Sequence, residues 1–273
     1  MFRPSDIIIA KFTDLLVNEY EFHFGENPQH TLLLKKVSRM TLSQVALSDA
    51  LYHNLDHAVN VSQVGKDLLR GYIFSENGMR EEDWLAFMSA LLVLFVGFVK
   101  GSVNGDTREK IIIDQQGNAI EPPRGSTDGY LWPYHINRTR LYVQQKLSHL
   151  PIIDWELVNL LVDYGRFPPD TSVTLEPGSI HDLFRASFLI GAVADPNFRI
   201  KIRRLMLEIE ESRALVFLHF PHLKAFKQGY PKYYWKVIAP LIKDASRYLN
   251  YCAEGMSWLA NMNSHLLVEE HEL

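Results

Sequence analysis

One cysteine, Cys252, stands in a chain of 273 residues. A lone thiol excludes a disulfide within the chain and any cysteine-rich zinc site, and it points to a reducing cytoplasm. Charge of one sign is also missing. The 28 Lys and Arg against 32 Asp and Glu leave −4, a balance that gives no general attraction to nucleic acid or an anionic membrane. Long apolar runs are absent too. The richest stretch, WLAFMSALLVLFVGFVKG, is uncharged only over residues 84–99, with Asp83 and Lys100 at its ends. A bilayer core requires roughly 20 residues, so the stretch reads as a helix buried on all sides, with no membrane span. The opening MFRPSDIIIAKFTDLL is interrupted by Asp6, Lys11 and Asp14 and does not read as a signal peptide. Two catalytic signatures are lacking as well. No nucleophile elbow appears, and GSVNGD lacks the Lys-Ser/Thr ending of a phosphate loop.

What is present is apolar and aromatic: 47% hydrophobic residues, with 15 Phe, 12 Tyr and 5 Trp. Such a chain can bury a sizeable core. Helical periodicity covers most of it. A first amphipathic helix is expected over residues 5–20 with Ser5 as its N-cap. A long helix or helix pair is expected over 42–71, and the apolar helix over 81–99 behind the acidic first turn Glu81-Glu82-Asp83. Residues 101–133 differ, being rich in Gly, Pro, Asp and Thr. Within them KIIIDQQGNAIEPP places 111–113 and 119–120 around a Gly-Asn turn, the pattern of a small hairpin or extended loop. Helices resume at 137–147, 154–164, 179–193, 197–217, 233–250 and 251 to the end. The expectation is one all-α domain over 1–273 with a loop-rich insertion and a C-terminal helical region from about 230.

The stretch YHNLDHAVNV puts His53 and His57 four residues apart on what reads as a helix. That spacing suits a metal or a phosphate, but two imidazoles alone make no catalytic centre. Other segments have to supply the remaining groups.

YHNLDHAVNV resembles the first motif of the HD-domain metal-dependent phosphohydrolases, in which Tyr-His-Asn opens a helix and a second His four residues on ligates metal. GFVKGSVNG, IDQQGNAIEPPRGSTDGYLWPYHINR, GRFPP and ADPNF extend the resemblance to a bacterial branch of that superfamily, over residues 42–208. The resemblance implies an HD-like helical bundle. It also implies a His-Asp pair at the end of the second buried helix and a later Asp ligand. Aligned on Gly97 and Lys100-Gly101, those positions carry Leu94, Phe95 and Phe188, and only His57 remains as a ligand type. Asp195 lies seven residues beyond Phe188, about 10 Å along a helix, too far to substitute. A divalent cation needs several O or N donors, whereas large apolar side chains would fill and dry the vacated space. The expectation is a repacked centre with no metal cofactor.

The remaining polar residues admit two readings each. His57 reads as a core histidine. His53 occupies the general-acid position of the resembled family, which has no role without a metal-bound hydroxide, and Asn54 and Asp56 read as helix-face partners of the histidines. Arg124, Asp128, Tyr134, His135 and Arg138, with Lys100, Asp106 and Arg166, read either as contacts for the phosphate end of a ligand or as a salt-bridged loop clamp. The C-terminal aromatics of GYPKYYWKVIAPL and YCAEGMSWLANM read as core, an oligomer interface or an apolar ligand groove. The sequence therefore points to a catalytically degenerate HD-domain homologue that binds a protein partner or a small ligand. Two opposing readings stay open. One is an active metal-dependent phosphohydrolase with a site drawn from His53, His57, Asp106, Asp128 or His135. The other is a structural subunit that assembles as a homo-oligomer through its C-terminal helices.

Overall fold

The computed structural model describes residues 3–212 and 222–271. The described residues are predominantly helical and carry a single two-stranded antiparallel sheet. They form two compact units. The first comprises Met1–Val59 and Arg80–Asp163, the second Asn60–Met79 and Tyr164–Leu273. Each unit is drawn from two separate stretches, so no linker composition marks the division.

The first unit opens with α1 (Pro4–Phe24) and α2 (Pro28–Val45). Arg3 is the N-cap of α1 and Pro4 its first residue, which corrects the assignment of that cap to Ser5. Proline suits the first helical turn because its φ is preset and the amide it lacks would have no intrahelical partner. Gly25, at φ 81°, ends α1, and the Asn27 side chain caps α2 by accepting from the His30 amide at 3.3 Å. The pair is joined inside by Thr13 and Ser38, whose hydroxyls are 2.8 Å apart. Over it lies α4 (Glu81–Val93), buried at every residue from Trp84 to Val93. Each large apolar side chain of that run contributes roughly 1.5–3 kcal/mol by leaving water.

The helix ends at Val93 where the periodicity runs on to residue 99, and a 3-10 turn, Val96–Phe98, follows. The cause is tertiary. Gly97 packs so closely on α5 (His135–Tyr142) that a Cβ there would stand 1.9 Å from the His135 carbonyl oxygen. Thr139 Oγ1 donates to the Leu94 carbonyl at 3.1 Å and accepts from the Gly97 amide at 3.2 Å. The carbonyl and amide freed at the helix end are thus satisfied from α5. No helix among the described residues is long and apolar enough to cross a membrane.

The insertion holds the expected hairpin, β1 (Ile111–Ile112) and β2 (Ala119–Ile120), with Ile111 opposite Ile120 and Ile112 opposite Ala119. Asp114 closes its turn by accepting from the Gln116 and Asn118 amides, both at 3.0 Å. A 3-10 segment, Asp128–Tyr134, leads into α5, which continues as a π-helical turn over Val143–Leu147. Then α6 (Trp155–Val162) starts at the Asp154 cap.

The span expected as a long helix or helix pair over 42–71 holds only the last four residues of α2, a nine-residue connection and then α3 (Leu55–Ser75), and most of α2 lies ahead of it where no helix was expected. In the second unit α7 (Ile180–Val193) starts at the Ser179 cap and α8 spans Phe198–Ser212. Residues 213–217 of the helix expected over 197–217 lie outside the described residues. A helix that the periodicity did not indicate, α9 (Leu223–Tyr233), comes next, and the stretch expected as one helix over 233–250 divides into a π-helical turn (Tyr234–Ile238), α10 (Ala239–Ser246) and a 3-10 turn (Arg247–Tyr251). The last helix, α11, is Ala253–His271; residues 272–273 lie outside the described residues. Helices α3 and α7 meet at Gly191, where a Cβ would lie 2.9 Å from the Val61 Cα.

Candidate functional site

The histidine stretch does not form one helical face. Helix α3 begins at Leu55, so His53 lies in the preceding turn and only His57 is helical. Asn54 decides this. Its side-chain oxygen accepts from the His57 amide at 3.2 Å and its carbonyl from the Ala58 amide at 3.0 Å, which makes it the N-cap. Asp56 is exposed in the first turn, where its charge favours the helix dipole.

The two imidazoles are 5.7 Å apart between ring centroids, at 79°. Both are buried among aromatic rings. His53 stacks on Phe98 (4.1 Å, 12°), and Phe98 stacks in turn on His135 (4.5 Å, 24°), giving a column of three rings. Trp132 meets His53 edge-on at 4.6 Å. Tyr52 lies 4.4 Å from His57, and Phe95 lies 5.1 Å from His57 and 6.0 Å from His53. His135 Nδ1 donates to the Trp132 carbonyl at 2.6 Å, which places its proton on Nδ1.

These residues do not fit a divalent cation. Leu94 and Phe95 are 0% and 1% exposed, and the Phe95 ring, which offers no donor to a cation, lies beside His57. Among the described residues no group of three or more His, Cys, Asp or Glu is placed to hold a metal. Phe188 is buried on α7 of the second unit. Asp195, in the same unit, is committed to structure. It accepts from Asn60 Nδ2 and from the Asn197 amide, each at 2.8 Å, and pairs with Lys201.

Arg138 and Asp106 are brought together inside the first unit, and neither side chain is exposed. The guanidinium donates to Asp106 Oδ1 and Oδ2, to the carbonyls of Gly97, Val99 and Ile112, and to Ser102 Oγ. All its N–H groups have protein acceptors, so none remains for an anion. Asp106 also accepts from the Gly101 and Ile112 amides, both at 2.9 Å. This pair organises the loop that carries GFVKGSVNGD.

Lys100 and Asp128 form a second junction. Asp128 accepts from the Lys100 amide at 3.2 Å, Lys100 Nζ donates to the Ser126 carbonyl at 2.6 Å, and the Asp128 amide donates to Asp49 at 2.6 Å. Burial pushes the Asp128 carboxyl above the usual range, against the hydrogen bonds from Ser48 and Lys100. Tyr134 is half-buried and Arg124 exposed, while Arg166 is exposed in the second unit. The arginines grouped by sequence thus have three different settings.

A family model matches residues 2–272. The chain belongs to the Npun_R2479-like family. No curated protein and no solved structure matches it.

In this Npun_R2479-like chain the residues that sequence reasoning passed over are Tyr52, Phe98, Trp132, Ser102 and Thr139. Trp132 carried a legible signal, standing three residues before His135 with its carbonyl in reach of that ring. Tyr52 acts on His57, five residues on, whereas Phe98, Ser102 and Thr139 act across 36 to 45 residues of chain, as with Ser102 to Arg138 and Leu94 to Thr139, and no local pattern reports contacts of that range.

Proposed function

We propose that this Npun_R2479-like chain is an HD-domain homologue without the catalytic metal centre, acting by binding a protein partner or a small ligand. The observation that carries the reading is the Phe95 ring 5.1 Å from His57, at a position that the resemblance gives to a metal-ligating carboxylate. Phe95 supplies no donor, and its bulk takes the volume that a hydrated cation would need. The His53–Phe98–His135 column supports the same reading. His53, stacked flat on Phe98 with Trp132 edge-on against it, is poorly placed to protonate a leaving group.

Elemental analysis of the untagged protein, followed by phosphate-release assays on nucleotides and simple phosphate esters with added manganese, tests this. The expected result is metal far below one equivalent per chain, unchanged by excess cation, and no phosphate released. One or two tightly held metals per chain, with hydrolysis that depends on them, would overturn the reading in favour of a phosphohydrolase.

A further inference from the structure

A cleft of about 270 Å³ opens in the second unit, lined from the end of α3, the start of α7 and the Arg247–Tyr251 turn. Its walls are built by close approach. A Cβ on Gly71 would stand 1.9 Å from the Tyr248 carbonyl oxygen, and one on Gly178 would stand 2.7 Å from the Tyr248 hydroxyl. Glycine at both positions lets α3 and the loop ahead of α7 close on Tyr248, which is 1% exposed. The Tyr248 hydroxyl donates to Glu76 Oε1 at 2.9 Å and accepts from Arg247 Nη2 at 2.7 Å. The same Nη2 also donates to Glu76 Oε1, at 3.1 Å.

What the cleft leaves unused is of both kinds. Every side-chain bond to Glu76 falls on Oε1, so Oε2 has no donor among the described residues. Arg247 engages only Nη2, and its Nε and Nη1 have no acceptor among them. Glu176 lines the same cleft, and its carboxylate has neither donor nor ion-pair partner there. A lone cation entering would meet Arg247, and a lone anion would meet Glu76 and Glu176. A small molecule carrying both charges a few bonds apart suits both sides. The free edge of the guanidinium matches a carboxylate, and the open carboxylate oxygens match an ammonium. The volume lies under the roughly 300 Å³ at which pockets for drug-sized ligands begin, so the ligand is smaller than a nucleotide. We infer that this cleft binds a free α-amino acid, with its carboxylate on Arg247 Nε and Nη1 and its ammonium on Glu76 Oε2 and Glu176. The inference goes beyond the binding reading above: it concerns the second unit and does not depend on whether the first holds a metal.

Thermal unfolding of the full chain with each common L-amino acid in turn tests it, because a ligand bound only by the folded state raises Tm. At least one is expected to do so, while the matching amine without the carboxylate and the matching acid without the amino group do not. Calorimetric titration of that amino acid should then show a Kd weakened about tenfold or more by Glu176→Gln and by Arg247→Gln. Glu176 is exposed and its side chain takes no part in the hydrogen bonds of the fold, so Glu176→Gln should keep the wild-type circular dichroism and Tm in the absence of ligand. No rise in Tm with any amino acid would overturn the inference. So would an equal rise with the amine or the acid alone, or a Kd that both substitutions leave unchanged.

Discussion

The two carboxylate oxygens of Asp106 lie 3.1 and 2.9 Å from the two terminal nitrogens of Arg138, and both side chains are shut off from solvent. Around this fork are the carbonyls of Gly97 in the 3-10 turn, Val99 just after it and Ile112 in β1.

Removing one member should leave the other buried and uncompensated. Arg138→Met or Asp106→Leu is expected to cost about 3–5 kcal/mol in urea unfolding, and the double variant less than the sum. Arg138→Lys should fail almost as badly, since one ammonium cannot reach the acceptors of a planar fork.

Gly97 has no room for a side chain, with the His135 carbonyl oxygen 1.9 Å from its notional Cβ. Gly97→Ala must push α5 away from the 3-10 turn and loosen the Thr139 bridge. A loss of about 1–3 kcal/mol is expected, visible as a fall in Tm.

In the second unit the Trp258 indole donates to Asp67 at 2.9 Å, and Lys66 pairs with the same buried carboxylate. Burial raises the Asp67 carboxyl despite both partners. A raised folded-state pKa means that Asp67 favours the fold below its unfolded value and loses that contribution as pH rises through the folded one. Trp258→Phe removes a donor to the ionised form and should cost about 1–3 kcal/mol near neutrality. The cost should shrink in acid, where the carboxyl is protonated; unfolding at pH 7 and pH 3 checks this.

His265 donates through Nε2 to the Asp195 carbonyl at 2.9 Å and stacks on Phe198. Burial lowers its pKa from 6.5, so the folded state holds it neutral while the unfolded chain takes up a proton first. Stability should be full above the unfolded value and decline as pH falls below it toward the folded one. His265→Gln keeps an N–H donor without the titration, and should flatten the fall in Tm between pH 8 and pH 5. His181, also lowered by burial, would carry what slope remains.

Local chemistry was legible wherever a residue acts on its near neighbours. The Gly-Asn turn between apolar pairs gave the hairpin, Ser179 and Asp154 marked helix starts, and the acidic turn at Glu81 marked another. The brevity of the apolar stretch was read correctly, as no helix among the described residues is long and apolar enough to cross a membrane. That Leu94 and Phe95 offer no donor to a cation was legible too, because side-chain type alone decides it.

Tertiary structure decided the rest. Periodicity carried the apolar helix to residue 99, but the close approach of α5 ends it at Val93. Four-residue spacing placed His53 and His57 on one helical face, but the Asn54 cap starts the helix between them. Arg138 looked equally suited to an anion and to a loop until its acceptors were in place, all but Asp106 and Ser102 being backbone carbonyls. Most helices other than α2 and α9, the hairpin and the apolar character around His57 followed from sequence alone, since these depend on neighbours within a turn or two. The helix ends, the aromatic column and the Arg138–Asp106 clamp join groups dozens of residues apart, and only the folded chain brings them within bonding distance.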